Sequence, residues 1–217
     1  MSQDNWQEKH GEVIKAFLVF LNQRSDGFVL KGGTSLSQCY GLNRFSEDID
    51  LDIKHGKIEN HVKTFCEQMG YSYRLSKNSS FTERCFIDYG NDQHPLKVEA
   101  SSRRKEIPGS EIEVINGINV YSINRIAIGK IGAYNQRDKI RDLFDISFIV
   151  NNYLDSLSSD TQDMLVDAFQ YKGLDQFDYL THNNDDPLID SNKLAESLLL
   201  AYEKLGLLYT EEEKEEM

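Results

Sequence analysis

Residues 31–53 read Lys31-Gly32-Gly33-Thr34-Ser35-Leu36-Ser37-Gln38-Cys39-Tyr40-Gly41-Leu42-Asn43-Arg44-Phe45-Ser46-Glu47-Asp48-Ile49-Asp50-Leu51-Asp52-Ile53. The apolar run Phe28-Val29-Leu30 leads into two glycines and a hydroxyl pair, and a short helix-like stretch follows that Gly41 can stop. From Asp48 the residues alternate, which predicts a strand with Ile49, Leu51 and Ile53 on one face and Asp48, Asp50 and Asp52 on the other. Carboxylates two apart on a strand stand side by side and repel one another unless a cation neutralises them. Mg²⁺ (or Mn²⁺) suits such a pair, because Mg²⁺ takes one or two protein carboxylates and fills its remaining positions with water and phosphate oxygens. Gly32 and Gly33 fit the same chemistry: lacking a Cβ, they let backbone N–H groups approach a phosphate at a helix N-terminus. The stretch reads as a phosphate cradle of Gly32, Gly33 and Thr34, with Ser46 in the same group, joined by one short helix to metal carboxylates Asp48 and Asp50. Either half alone is common in turns and on solvated sheet faces; the two together are specific.

Working outward, residues 7–23 carry Ile14, Phe17, Leu18 and Leu21 at helical spacing, a leading helix free to pack on either part of the chain. After the aspartate strand, Ile58, Val62, Phe65, Cys66 and Met69 mark a second amphipathic helix closed by Gly70. Extended stretches follow at 71–75, 81–89 and 95–101. In the last of these Leu96, Val98 and Ala100 alternate with Lys97, Glu99 and Ser101, so Glu99 leaves the apolar side and is the candidate third metal carboxylate, with Asp88 as its competitor. Arg103-Arg104-Lys105 then supply positive charge that could grip a triphosphate or a nucleic-acid backbone. Residues 113–120 read as a hairpin about Asn116-Gly117.

From Ser122 onward the period is helical, which places a boundary between a 1–121 domain and a 122–217 helical bundle. Helices are expected from Ile123, from about Arg137 to Val150, at 160–171 and at 190–207, with a loop around Gly173 and the polar run 182–187. Lys130, beside Gly129 and Gly132, could reach a nucleotide phosphate as a point charge. Asp142 and Asp145 are three apart on one helix face, with Arg137 one turn before Arg141, a spacing that an intrahelical ion-pair ladder also explains. Arg125, Lys130, Arg137, Lys139 and Arg141 against Asp138 suggest a positive stripe.

The whole chain of 217 residues has a net charge of −12, which argues against a protein that coats nucleic acid by bulk electrostatics. Part of that charge is an acidic tail at 211–216. Three widely spaced cysteines suggest neither a disulfide framework nor a zinc knuckle, and the five histidines show no zinc spacing. No P-loop or Gly-x-Ser-x-Gly elbow is present. No apolar run is long enough to span a bilayer and no export signal opens the chain, so a cytoplasmic protein without membrane contact is expected.

The segment Gly-Gly-Thr-x-Leu…Tyr-Gly-Leu-x-Arg-Phe-Ser-Glu-Asp-Ile-Asp-Leu at 32–51 resembles the AbiEii/AbiGii-type nucleotidyltransferase toxins, within the polymerase-beta-like nucleotidyltransferase superfamily. Val98-Glu99 followed by Arg103-Arg104 resembles that family's middle motif, and Lys130 followed by Arg137-x-x-x-Arg141-Asp142-Leu143-Phe144-Asp145-Ile146 its downstream one; the resemblance runs over about residues 26–150. It implies an α+β fold, a small mixed sheet flanked by helices and followed by a C-terminal helical bundle. It also implies Gly33 and Thr34 at phosphate, Asp48 and Asp50 on metal, Lys130 at the nucleotide, and Asp142 or Asp145 orienting the acceptor or the lysine. The activity implied is metal-dependent transfer of a nucleoside monophosphate from an NTP to an acceptor hydroxyl, the RNA or tRNA 3′ end in some members, by a toxin with an antitoxin partner. Two other readings use the same residues: γ-phosphoryl transfer to a protein or nucleotide, and a non-catalytic partner-binding protein that keeps the fold.

Overall fold

The structure is a computed structural model that describes residues 3–91, 93–183, 186 and 189–208. The acidic run at 211–216 lies outside the described residues. By its internal contacts the chain divides into two units, Met1–Ser122 and Ile123–Met217.

The first unit is built on a seven-stranded mixed sheet: β1 (Phe28–Lys31), β2 (Asp48–Ile53), β3 (Ser72–Asn78), β4 (Thr82–Asp88), β5 (Leu96–Ser101), β6 (Ile112–Ile115) and β7 (Ile118–Tyr121). Its order is β3-β4-β5-β2-β1-β7-β6. β2 runs antiparallel to β1 and parallel to β5, and β1 runs parallel to β7. The aspartate strand therefore sits at the centre of the sheet. Its alternation works as the sequence predicts: Ile49 and Leu51 are fully buried on one face. Helix α1 (Gln3–Asn22) packs within this unit on β5, β7 and α3 (Ile58–Met69), placing Phe17, Leu18 and Leu21 in the core. α3 buries Ile58, Val62, Phe65 and Cys66 against β3 and β4. The short helix α2 (Gly32–Cys39) leaves β1 directly. The hairpin β6–β7 turns at Asn116 and Gly117 with φ of 53° and 76°, the positive pair that a two-residue hairpin requires.

The second unit is helical: α4 (Ile123–Gln136), α5 (Ile140–Tyr153), α6 (Ser159–Lys172), α7 (Asp175–Asn183) and α8 (Ser191–Lys204). α5 packs on α4 and α8, and α6 on α4, around Ile131, Leu143, Ile146, Ile149, Leu165, Phe169 and Leu198. Two sequence expectations are corrected here. The segment around Gly173 is not simply a loop, because α7 forms within it. Arg137 does not begin the second helix: α5 starts at Ile140, after an extended Lys139, and Arg137 reaches in from the preceding turn. No described helix is long and apolar enough to cross a membrane.

Candidate functional site

Strand register decides which charged side chains meet. Asp48 pairs with Lys97, Asp50 with Glu99 and Asp52 with Ser101 across β2 and β5, while Lys31 of β1 stands beside Asp50. Across β4, Arg84 pairs with Glu99 and Phe86 with Lys97. All of these side chains share one face of the sheet, opposite the face that Ile49 and Leu51 bury.

That face is a chain of compensated charges with one exception. Asp48 is held by Lys97. Glu99 takes the Arg84 guanidinium, at 2.6 Å. Asp52 takes Lys31 at 2.5 Å and accepts the Tyr121 hydroxyl at 2.8 Å, deep in the sheet. Among the described residues Asp50 receives no such hydrogen bond or ion pair. Burial pushes its carboxyl up from the ordinary carboxylate range; the Lys97 charge draws it down and Asp48 raises it. Four carboxylates thus line one face at neighbouring register positions, and of these Asp50, beside Asp48 and opposite Glu99, lacks a cation of its own. That donor set fits a hard divalent cation, although no group of three or more described His, Cys, Asp or Glu residues is drawn together around a ready-made metal site. Asp88 lies at the end of β4, where its carboxylate accepts the Gly90 N–H, whereas Glu99 is the residue that stands opposite Asp50.

The glycine turn abuts the same carboxylate. Gly32 has φ +78°, and a Cβ there would lie 3.2 Å from an Asp50 carboxylate oxygen. A Cβ on Gly33 would stand 2.7 Å from the Arg44 guanidinium and 3.1 Å from the Ser46 hydroxyl. Lys31, the N-cap residue of α2, makes no side-chain hydrogen bond to the first turn, whose N–H groups suit an anion. Thr34 is placed otherwise than expected. It is buried, and its hydroxyl lies on Ser46, at 2.8 Å, and on the Asp48 carbonyl, so it ties α2 to the head of β2 rather than facing the turn. Of the basic pair, Arg104 is spent inside the fold: both its terminal nitrogens reach Glu111, at 2.6 and 2.8 Å, and it lies over the Tyr121 ring. Arg103 is exposed and takes no side-chain partner among the described residues.

The loop before Asp48 is clamped from α1, a feature that sequence spacing gave no sign of. Buried His10 bridges the Glu47 carbonyl and the Tyr89 hydroxyl, each at 2.7 Å, within a ring cluster of Trp6, Phe45, Tyr89 and His94. Burial lowers its pKa, so His10 favours the neutral imidazole.

In the second unit the downstream motif forms two ion pairs. Lys130 is buried with its ammonium 2.5 Å from the fully buried Asp145. Asp142 accepts both the Nε and a terminal nitrogen of Arg137, at 2.6 and 2.9 Å. Arg141 pairs with Asp186. The expected positive stripe is therefore largely neutralised, and Lys130 is an oriented, partnered cation rather than an exposed point charge.

The search of curated proteins gave no match to this chain. Among solved structures, JHP933 from Helicobacter pylori aligns with a TM-score of 0.74 at 28% identity, over 100% of this chain and 96% of that one. A candidate nucleotidyltransferase from H. pylori aligns with a TM-score of 0.72 at 27% identity, over 97% of this chain and 100% of its own. The family model described as nucleotidyl transferase AbiEii toxin, type IV TA system, matches residues 19–206. With the glycine turn, the carboxylate strand and helices α4 to α8 all inside that match, the chain belongs to the AbiEii family of nucleotidyltransferase toxins.

Proposed function

We propose that this nucleotidyltransferase moves a nucleoside monophosphate from an NTP to an acceptor hydroxyl at an RNA 3′ end, in the cytoplasm and under the control of an antitoxin. The observation that carries the reading is Asp50, a desolvated carboxylate between Asp48 and Glu99 with no cation of its own, set against the Gly32 turn. Asp48, Asp50 and Glu99 would hold Mg²⁺ or Mn²⁺, whose charge offsets that developing on the phosphate oxygens during transfer. The open N–H groups at Gly32 and Gly33 bind the triphosphate, and exposed Arg103 adds a mobile positive charge. Lys97 and Arg84 orient Asp48 and Glu99 and keep the carboxylates from repelling one another. In the transfer the acceptor oxygen bonds to the α-phosphorus, the bond to the departing pyrophosphate breaks and the hydroxyl proton is lost.

The test uses an NTP labelled separately at the α and γ phosphates, with total RNA as acceptor. The α label should appear on RNA with the wild type and vanish with Asp50→Asn. Appearance of the γ label would replace this reading by phosphoryl transfer, and an unlabelled acceptor in every case would favour a partner-binding protein. Metal stabilisation is worth several kcal/mol and each tenfold in rate about 1.4 kcal/mol, so Asp50→Asn should lower transfer by about 1,000-fold or more.

A further inference from the structure

The open sheet face does not end at Glu99. One cross-strand row runs Asp48, Lys97, Phe86, Arg74, and the next runs Lys31, Asp50, Glu99, Arg84, Lys77, so both lead from the carboxylates to β3 at the sheet edge. The inner cations of these rows are used: Lys97 on Asp48 and Arg84 on Glu99. The outer ones, Arg74 and Lys77, are exposed and have no carboxylate partner among the described residues. The Arg74 guanidinium carbon lies over the half-buried Phe86 ring, 4.1 Å from its centre. Beside this pair opens a cavity of about 240 Å³ lined by Ser72, Tyr73, Arg74, Phe86, Asp88 and Pro95. α3 covers the other face of these strands, where its Glu59 N–H meets buried Glu83, so the Arg74–Phe86 face is left without that cover.

An aromatic ring stacked with a guanidinium, next to unpaired cations, is the chemistry that holds an unpaired nucleobase and its phosphate. The cavity is below the ~300–1,000 Å³ of a pocket for a whole drug-sized ligand and suits one ring system. Position says which substrate it serves. The Gly32 turn lies on the β1 side of Asp50, whereas Phe86 and Arg74 lie on the β5 side, so the carboxylates separate the triphosphate end from this pocket. β4 is two strand spacings from β2, about 10 Å, which is the reach of a neighbouring nucleotide rather than of the reacting hydroxyl.

Resting on the nucleotidyltransferase reading above, we propose that Arg74, Phe86 and Lys77 form an acceptor-strand subsite in which an unpaired base next to the reacting end stacks on the Arg74–Phe86 pair and its phosphate meets Arg74 and Lys77. The probe is a fluorescein-labelled single-stranded RNA of twelve mixed-sequence nucleotides, read by anisotropy with the full chain at low salt. Wild type binds. Loss of one stacked base is worth about 1–3 kcal/mol, hence Phe86→Ala and Arg74→Ala should weaken binding roughly 5- to 150-fold. Phe86→Trp should retain it, and Lys77→Ala should flatten the salt dependence by close to one phosphate contact. Arg74→Glu, at an exposed position, keeps the test informative if Phe86→Ala fails to fold. Thermal stabilisation by Mg²⁺–NTP, followed in parallel, should be unchanged in all five variants. Equal RNA affinity in wild type, Arg74→Glu and folded Phe86→Ala overturns the subsite. Absence of RNA binding by wild type that is still stabilised by Mg²⁺–NTP also overturns it, and points to an acceptor of another class, such as a protein hydroxyl. Loss of the NTP response itself would instead strike the functional reading beneath it.

Discussion

At the scale of single residues, Asp50 and Asp52 stand two apart on one strand and do opposite things. Asp52 is neutralised by Lys31 and the Tyr121 hydroxyl, so its charge belongs to the fold. Asp50 is desolvated without such a partner, so its charge is a standing cost that a bound cation would relieve. Asp52→Asn should therefore lower stability by about 1–3 kcal/mol, since it strands Lys31 and weakens a buried hydrogen bond. Asp50→Asn should leave stability unchanged or raise it, while removing transfer; denaturant midpoints of the two variants check the contrast, and equal losses would refute it. The raised Asp50 pKa has a pH sign as well. The folded state holds that proton more tightly than the unfolded chain, so this group's contribution to stability is lost as pH rises from the ordinary carboxylate value through the folded one. His10 works in the other direction. Its pKa is lowered by burial, so below about 6.5 the unfolded chain takes a proton that the folded one refuses, and stability falls as pH falls from there toward the folded value. Wild type should lose stability relative to His10→Gln between pH 7 and pH 5; a flat difference would remove His10 as the cause. The aspartates could be read from sequence because a period of two is visible within six residues. Lys97 and Lys31 could not be read as their partners, nor Arg84 as the partner of Glu99, because that requires the register of strands far apart in the chain.

Elements show the same division between local and distant information. α3, with apolar residues at helical spacing on one side and Gly70 as its left-handed cap, is visible within its own sequence. α7 is not, because only Leu180 of its nine residues is buried and one apolar anchor makes no period. α2 is the element on which the site depends most. It starts without a capping side chain, directly after β1, and Thr34 fastens it to the carbonyl of Asp48. Both the glycines and the aspartates were legible, but the tie between them was not, since a Thr beside a Gly-Gly turn equally suggests a phosphate ligand. Gly32→Ala should be costly twice over. The left-handed backbone penalises a Cβ by about 1–2 kcal/mol, and that carbon would press on the Asp50 carboxylate from 3.2 Å. The expected outcome is a Tm drop of several degrees, together with a loss of NTP-induced stabilisation larger than the loss of fold. Thr34→Val, which keeps the shape but removes the hydroxyl, should reduce kcat with little change in the spectroscopic fold, because β2 would lose its fastening at Asp48.

For the whole molecule, the net charge of −12 is unevenly spread: the acidic excess falls mostly after Ile123, while the sheet unit is close to balanced and sets Lys31, Lys97, Arg84, Arg74 and Lys77 in the same cross-strand rows as its carboxylates. On the proposed function, a polyanionic substrate would be directed to the sheet unit by short-range charge rather than by the field of the whole chain, which would repel it. NTP binding should then depend on the divalent cation far more than on net charge. With ATP, CTP, GTP or UTP at about a hundred times its dissociation constant, the preferred nucleotide should stabilise the folded chain by about 2.7 kcal/mol. For a chain of 217 residues that is a shift of several degrees in Tm. The shift should require Mg²⁺ or Mn²⁺ and should disappear in Asp48→Asn, because removing either strand carboxylate leaves too few oxygens to hold the cation against the triphosphate. It should survive in Arg74→Glu, which lies on the acceptor side of Asp50. A shift of equal size without the divalent cation, or one retained in Asp48→Asn, would move the nucleotide away from the β2 carboxylates and leave the Gly32 turn as an anion site without chemistry.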